Sequence, residues 1–550
     1  MRILAPCLIA LTLAPYGLRA AGTAGASAAP DPGEKLGTVS FTVSCAPSVR
    51  AAFNRGVALL HDFWYDEAQR EFNRIAAHDP GCAMAHWGAA MSVYHQIWDR
   101  PDAETMAKGR AQIEQAEHLH AKSARERDYI AAAARFFRAG EEGYQSRVEA
   151  YSASMGELYR HYPDDVDAGA FYALSLLAAE SPDDTSLTQE HKALEVLDPL
   201  FARHADHPGL AHYTIHACDT PSLAPHGLEA ARRYGQIAPS GAHAVHMPGH
   251  IFARLGMWQD DIRDNLASVA AVKVAEKRHE SDGMDQFHSE DFLVYAYLQS
   301  GEEARARQIV EESKAAMSRY ESMPEMTSSL MRSMFPYYRN KFPAFYALET
   351  RDWKAAAALE AAPTRDPETG FVTYWARAIA HGHLRQAEQA RADLAAYESL
   401  LDEVRRGKHA YIAEGVFSKI RSGEMSGWAA FAAGHEQDAL ASMRAAADLQ
   451  DKVGQGEVDI PAREMLADML LELHHPAQAL AEYQRSLELS PNRFNGLFNA
   501  GLAAEAQGDR AKAERFYSAL LKATDNGSQS ARVEFEHVRS FVSTTKVASE

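Results

Sequence analysis

Small and aromatic residues recur along this chain in the pattern of paired amphipathic helices. Ala479 and Tyr483 stand at the small and aromatic positions of one helix–turn–helix unit, and Ala513 and Tyr517 repeat them 34 positions later. That spacing is the period of tetratricopeptide repeats (TPRs). Because each helix pair buries small residues at its crossing and docks the next pair through a larger one, the pattern predicts an all-α fold, a right-handed α-solenoid of TPR-like repeats.

The same offsets return near the N-terminus, where Gly56, Phe72 and Pro80 mark another unit. Between the two ends the units are degenerate, but no run of alternating apolar and polar residues predicts a strand. We therefore expect an N-terminal degenerate array at 49–317 and a C-terminal TPR array at 348–530.

Three further segments lie outside these two arrays and after the first 28 residues. They are an extended lead-in at 29–48, a Met- and aromatic-rich irregular segment at 318–347, and a capping helix and tail at 531–550. The composition of the second segment is compatible with a long loop or an irregular helix pair, and its methionines and aromatic residues are typical of core packing.

The N-terminus predicts export. Arg2 precedes an apolar stretch at 3–18 that is too short and too interrupted by proline to cross a membrane, and small residues follow it. This order is typical of a secretory signal peptide, which we assign to 1–28. No later segment reaches the roughly 18 apolar residues of a membrane span. We expect a periplasmic or extracellular protein that does not span a membrane.

Export leaves three cysteines, Cys45, Cys82 and Cys218. An odd number implies at least one unpaired thiol or an intermolecular bond. Cys45 and Cys82 can form a disulfide in an oxidising compartment. The alternative is that Cys82 and Cys218 are buried as small apolar residues.

Charge and composition narrow the class of partner. The chain has 550 residues, of which 46% are hydrophobic and 24% charged, and its net charge is −19. These fractions are typical of a folded globular protein. An acidic surface repels polyanions, so we expect neither nucleic acid nor an anionic membrane as a partner.

Histidines concentrate in one part of the chain. Seven of them fall in one stretch: His207, His212, His216, His226, His243, His246 and His250. Two pairs, in HYTIH and HAVHMPGH, have the i, i+4 spacing that places both side chains on one face of a helix. Imidazole is the commonest protein metal ligand, so this spacing indicates chelation.

The candidate metal ligands are therefore His212, His216, His246 and His250, with His243 and Asp219 as a fourth ligand or as groups behind the ligands. Zinc and copper are the ions that suit imidazole donors in an exported protein. Three residues of a later helix could also reach a metal: His288, Glu290 and Asp291.

Pro248 predicts the local structure of the second motif. Proline is best tolerated in the first turn of a helix, so we expect a helix to begin near Pro248. His243 and His246 would then lie in the preceding loop. His226, between a proline and a glycine, is interpreted as a turn residue.

Three interpretations of the histidines are open. They can be structural groups that cap helices and bond loop carbonyls, metal ligands, or metal-free binding and proton-transfer groups. His279-Glu280 and His435-Glu436 lack the second histidine of a HExxH motif, and there is no GxSxG elbow, P-loop or GxGxxG fingerprint. No residue is assigned as catalytic.

The chain resembles a family of exported bacterial TPR proteins. The matching segments are CAMAHWGAAM (82–91), HPGLAHYTIHACD (207–219) and HAVHMPGHIFARLGMW (243–258), together with the terminal repeats. The resemblance implies a TPR fold over most of the mature chain and a special site at the histidine motifs, where His207 and Arg254 line the pocket. It implies no particular reaction, and His226 lies outside the shared pattern.

We therefore expect a binding or scaffold protein. A repeat array usually presents a concave groove, here for a protein, a peptide or a small ligand. The histidine-lined pocket in its middle is a candidate site for a divalent metal. The alternative is a metal-dependent hydrolase or oxidoreductase that uses the same histidines.

Overall fold

The computed structural model describes residues 33–97, 100–138, 143–181, 184–278, 283–323, 329–364, 366–407, 409–455 and 457–549. The chain divides into two compact units, Met1–Glu34 and Lys35–Glu550. The predicted signal peptide at 1–28 lies outside the described residues, and so do His279 and Glu280.

All regular secondary structure in the described ranges is helical, which confirms the predicted all-α helical-repeat fold. The first twelve helices are α1 Arg50–His61, α2 Tyr65–His78, α3 Ala83–Met91, α4 Ala103–His118, α5 Ala124–Phe137, α6 Tyr144–His161, α7 Val166–Ala178, α8 Thr188–Arg203, α9 Pro208–Ala217, α10 Ala224–Ile237, α11 Ala242–His246 and α12 Pro248–Arg254. The next fifteen are α13 Trp258–Lys277, α14 Met284–Gln299, α15 Glu303–Glu321, α16 Ser329–Glu349, α17 Trp353–Ala357, α18 Phe371–His383, α19 Ala387–Arg405, α20 Ala410–Glu414, α21 Val416–Ala432, α22 Glu436–Val453, α23 Ala462–Glu472, α24 Pro476–Leu489, α25 Phe494–Ala506, α26 Arg510–Ala523 and α27 Glu534–Ser549.

The repeat pattern results from the close packing of the paired helices. A Cβ atom on Gly56 would lie 2.8 Å from Cζ of Phe72, and one on Gly501 would lie 2.2 Å from Cε1 of Tyr517. Both rings are fully buried. The ring on the second helix thus fills the space that a side chain on the first would need, which is why glycine or alanine recurs opposite an aromatic residue.

The segment before α1 is extended and fixed to the first repeats. The backbone N–H and the hydroxyl of Ser44 each donate to the Glu126 carboxylate over 2.6 Å. Next to it, a disulfide joins Cys45 to Cys82, as one of the two sequence interpretations predicts. Cys218 is buried and free.

The Met- and aromatic-rich segment at 318–347 is more regular than its composition indicates. α15 extends to Glu321, and α16 runs unbroken through Pro336 and Pro343. A compact apolar cluster holds this region together, formed by Phe287, Met317, Tyr320, Met331, Phe335, Tyr338 and Phe342. The packing of one long helix face against α14 and α15 therefore outweighs the helix-breaking tendency of two prolines.

The C-terminal repeats contact the middle of the chain, so the array is not simply a row of neighbours. The indole N–H of Trp258 donates to the carbonyl of Asn492 over 2.8 Å. Gly256, with φ +63°, lies so close to the Pro491 carbonyl that a Cβ would come within 2.3 Å of it. Only glycine allows both this backbone conformation and this approach.

Two large apolar clusters meet near the histidine motifs. The first extends from the lead-in to Phe252, and the second begins at Trp258 and includes the C-terminal repeats. The histidines of α9, α11 and α12 lie where these clusters meet. Among the described residues, no helix has the length and apolar character that crossing a membrane requires.

We expect Gly501→Ala to destabilise the C-terminal repeats, because the new methyl group would overlap the buried Tyr517 ring. Overpacking of this kind costs about 1–3 kcal/mol, and thermal unfolding would report it as a lower midpoint. Gly143→Ala is the matched control, since its Cβ would meet nothing within 4 Å. Equal midpoints for the two variants would contradict the packing argument.

Candidate metal centre

The two histidine motifs lie on three consecutive structural elements. α9 begins at Pro208 with His207 as its N-cap, and its last turns carry the first i, i+4 pair. α11 and α12 are separated by a single residue, Met247, which keeps right-handed helical angles (φ −52°, ψ −36°). His246 and His250 therefore keep their one-faced spacing across the break.

This geometry corrects one expectation. A helix does begin at Pro248, but His243 and His246 lie in the short helix α11 rather than in a loop. Residues before proline usually avoid helical angles, and Met247 is an exception here. Proline lacks the N–H that would continue the hydrogen bonds of the helix, so α11 ends and α12 begins on either side of Met247.

Site A is formed by His212, His216 and His243, each of which offers one nitrogen within 4.8 Å of the others. The Nε2 atoms of His212 and His216 are 3.1 Å apart. The ring of Phe63 packs against all three imidazoles, with centroid distances of 4.4, 5.6 and 5.6 Å.

Site B repeats this arrangement with His246, His250 and His288, which come from α11, α12 and α14. The Nε2 atoms of His246 and His250 are 3.0 Å apart. Phe292 packs against the three rings at centroid distances of 4.8, 4.7 and 5.6 Å. Each site thus combines an i, i+4 pair, a third imidazole and one phenyl ring.

The outward nitrogens are engaged with oxygen atoms. Nδ1 of His212 lies 2.6 Å from the backbone carbonyl of His61, and a carbonyl can only accept, so this nitrogen carries the proton. Nδ1 of His246 lies 2.6 Å from Oδ1 of Asn265. The amide nitrogen of Asn265 donates to Asp261, which fixes the amide orientation and makes His246 the donor.

Three of the other four imidazoles have a carboxylate behind them. Nδ1 of His250 lies 2.8 Å from Asp219, whose other oxygen accepts from Arg254 Nε over 2.9 Å. Burial alone would raise the pKa of Asp219, but the Arg254 guanidinium and His250 hold it below its ordinary value. Two looser contacts of 3.7 Å complete the set, His243 with Asp285 and His288 with Glu457.

The inward Nε2 atoms of each i, i+4 pair face each other at hydrogen-bond distance. In His212 and His246 the proton lies on Nδ1, so Nε2 is an acceptor, which takes either an Nε2–H of the paired ring or a metal ion. Burial lowers the pKa of His212 to about 3, and burial with the neighbouring imidazoles keeps the pKa values of His216 and His246 well below 6.5. A positive charge on these rings is thus disfavoured. Two nitrogens on one tetrahedral ion would lie roughly 3.3 Å apart, close to the observed separations.

A third histidine cluster has a different character. Tyr213 hydroxyl lies 2.9 Å from Nδ1 of His61, and the Nε2 atoms of His61 and His207 lie 3.0 and 3.3 Å from the same oxygen of Asp167. Nδ1 of His207 accepts from the N–H of Leu210. Every ring nitrogen here has a protein partner, so His207 is a structural helix cap rather than a member of the metal sites.

The other sequence candidates fall in three places. Asp219 and Arg254 lie behind His250, on the Nδ1 side of its ring, which is one of the two positions predicted for Asp219. His226 is not a turn residue, because it lies in the first turn of α10 and contacts Asp198 on the surface. Glu290 accepts from Ser313 and Gln286, and Asp291 pairs with Lys341.

Sequence reasoning ranked His288 among distant possibilities, yet the structure makes it the third imidazole of site B. No histidine motif surrounds it, and its position depends on how α14 packs on α11 and α12. The groups that fix the ring orientations, Asn265 and Glu457, carry no sequence signal of their own. The one available hint was the aromatic Phe292 four residues after His288 on the same helix.

Comparison with known proteins gives little beyond the fold. No family model matches the chain, and neither does any curated protein. The human IFIT1 dimer with m7Gppp-AAAA aligns with 84% of this chain and 94% of that chain at 10% identity and a TM-score of 0.36. The TPR domain of P58(IPK) aligns with 69% and 99% at 15% identity and a TM-score of 0.21. At these TM-scores neither likeness bears on ligand or activity.

The buried imidazoles predict that the metal-free protein is acid-labile. The pKa values of His61, His212 and His288 are lowered from 6.5 to about 4, 3 and 4, mainly by burial. The unfolded chain therefore binds more protons below pH 6.5. Their contribution is complete above that pH and is lost as the pH falls toward 4.

Thermal unfolding across this range, with chelator present, measures the effect. Each shifted imidazole adds a slope of up to about 1.4 kcal/mol per pH unit. His212→Gln should flatten the pH dependence, whereas His226→Gln, on the surface, should leave it unchanged. A midpoint independent of pH between 6.5 and 4 would contradict the neutral assignment.

Proposed function

We propose that this protein is a metal-binding helical-repeat protein that holds one transition-metal ion at site A and one at site B. The orientation of the imidazoles carries the proposal. In the two i, i+4 pairs the Nε2 atoms converge at 3.0 and 3.1 Å, and three of these four rings donate from Nδ1 to an oxygen. Metal-ligating histidines are held in this way by outer oxygen partners.

The donor set favours zinc or copper. All six inward ligand atoms are imidazole nitrogens, which suit these ions, while carboxylates that would suit magnesium or calcium lie behind the rings. Three protein ligands per ion leave a coordination position open. The sites are therefore suited to an exchangeable ligand, as in the alternative of a metal-dependent enzyme.

The rest of the chain supports a scaffold around this centre. The repeats form the frame that brings α9, α11, α12 and α14 together, and a repeat surface is suited to hold a protein, a peptide or a small ligand. We infer export as well, because the disulfide between Cys45 and Cys82 is of a kind that persists in oxidising compartments.

Metal content should follow the two sites separately. Elemental analysis of the untagged protein should give two ions per chain after loading with zinc or copper and desalting. His216→Ala should leave one ion and His288→Ala should leave one, because each removes a half-buried ligand of a single site. The double variant should retain none.

His226→Ala is the control, since it removes a histidine that contacts Asp198 on the surface. It should retain both ions. Circular dichroism should show the same helicity for every variant. A wild-type protein without bound metal, or ions retained by the double variant, would overturn the proposal.

Substitution of a group behind a ligand should change the metal affinity of one site only. In Asp219→Asn, the amide cannot accept from both His250 and Arg254, so the His250 ring loses its fixed orientation. We expect metal affinity at site B to fall about 10–100-fold and affinity at site A to stay unchanged. Competition titration with a chelator on His216→Ala and His288→Ala backgrounds separates the two values, and an equal loss at both sites would contradict the assignment.

A further inference from the structure

The two metal sites are close enough to act as one unit. Ring centroids within site B are 4.3–5.7 Å apart. Between the sites, His216 lies 6.3 Å from His250, and His243 lies 6.0 and 6.4 Å from His246 and His288. The closest rings of the two sites are thus hardly farther apart than the rings within one site, so a small ligand would reach ions held in both.

The short helix α11 makes this proximity obligatory. It contributes His243 to site A and His246 to site B, three residues apart on one turn. The i, i+4 pair of site A comes from α9 before it, and the pair of site B ends on α12 after it. No rearrangement of the repeats can separate the two sites without breaking α11.

The ligand set limits which ion pair can occupy the sites. Two divalent ions bring four positive charges into a buried pocket, and no carboxylate is grouped with the inward nitrogens. Of the three carboxylates behind the rings, Asp219 is paired with Arg254 and Glu457 with Lys341, while Asp285 is 3.7 Å from His243. A buried charge without compensation is costly. Two monovalent ions reduce this cost, and Cu(I) is the monovalent ion that imidazole binds with three ligands.

The surroundings favour a small apolar ligand. Phe63 covers site A and Phe292 covers site B, and four of the six imidazoles have less than 9% of their surface exposed: His212, His243, His246 and His250. An apolar shell limits water access to a metal. Dioxygen is small, apolar and able to accept one electron from each of two ions.

We propose, building on the metal binding argued above, that sites A and B together form a dinuclear copper centre that binds dioxygen between its ions. Two Cu(I) ions each lose one electron and become Cu(II). Dioxygen gains both electrons and becomes a bridging peroxide, in which one oxygen–oxygen bond order is lost and a single bond remains. No proton or further reductant enters this step. The peroxide also places negative charge directly between the two ions.

The test loads the full-length apoprotein with two equivalents of Cu(I) without oxygen and then admits oxygen. We expect uptake of one dioxygen per two coppers and a new, intense near-ultraviolet absorption band that the zinc-loaded protein does not show. The two Cu(II) ions should be silent in electron paramagnetic resonance, because a shared bridge couples their spins.

Single-site variants give the matched controls. His216→Ala and His288→Ala should each hold one copper, show no such band, and give a full Cu(II) resonance signal after chemical oxidation. His226→Ala should behave as the wild type. Using both single-site variants protects the test against one of them failing to fold.

Failure of this inference is distinguishable from failure of metal binding. Two bound coppers that give two full resonance signals and take up no dioxygen would leave two independent sites and overturn the dinuclear centre. Binding of zinc but not of Cu(I) would overturn it as well. Absence of any stoichiometric metal would overturn both proposals.

Discussion

Two imidazole Nε2 atoms held 3.0 or 3.1 Å apart, once in each buried site, constrain the whole centre of this protein. Two bare lone pairs at this distance repel, so the nitrogens share either an N–H proton or a metal ion. Burial keeps the pKa values of His212 and His246 well below 6.5, so a charged ring is disfavoured and a shared proton requires one ring of the pair to have the neutral Nε2–H tautomer. The rings cannot turn away, because His212 is fixed by a backbone carbonyl and His246 by the amide of Asn265. A metal ion is the second way to join the two nitrogens, and its bond lengths match the separation.

The fold explains how this arrangement is held against repulsion. The oxygen atoms behind the rings come from five different parts of the chain: α1, the turn after α9, α13, the first turn of α14 and the segment before α23. Contacts such as Trp258 with Asn492 bring the C-terminal repeats against the elements that carry the histidines. If each repeat touched only the repeats next to it in sequence, the C-terminal repeats would not contact site B.

Much of the fold and of the candidate site could be predicted from the sequence. What could not be predicted depends on how distant helices pack. The repeat period predicts helix pairs because a small residue on one helix must face an aromatic residue on the next where the two helices cross closely. Gly501 and Tyr517 face each other in this way. The i, i+4 spacing predicts four of the six inward imidazoles, because that spacing is local. The place of His288 depends on the packing of α14, so the sequence indicates only that His288 could reach a metal. Asp219 takes the second of its two predicted positions, behind a ligand, and the sequence could not choose between them because it does not show which side of His250 Asp219 approaches.

The number of histidines alone does not identify a metal centre. This protein contains a histidine cluster of another kind, with which sites A and B can be compared. His61 and His207 share one carboxylate oxygen of Asp167, and their other nitrogens accept from Tyr213 and Leu210. The hydrogen bonds of that cluster are complete without an ion. They join α1, α7 and α9, so the cluster is a structural brace between these helices. Sites A and B use the same residue type, but there the inward imidazole nitrogens face one another. The two kinds of cluster touch at His61, whose ring belongs to the brace and whose carbonyl orients His212. The structural histidines thus fix the direction in which the binding histidines point.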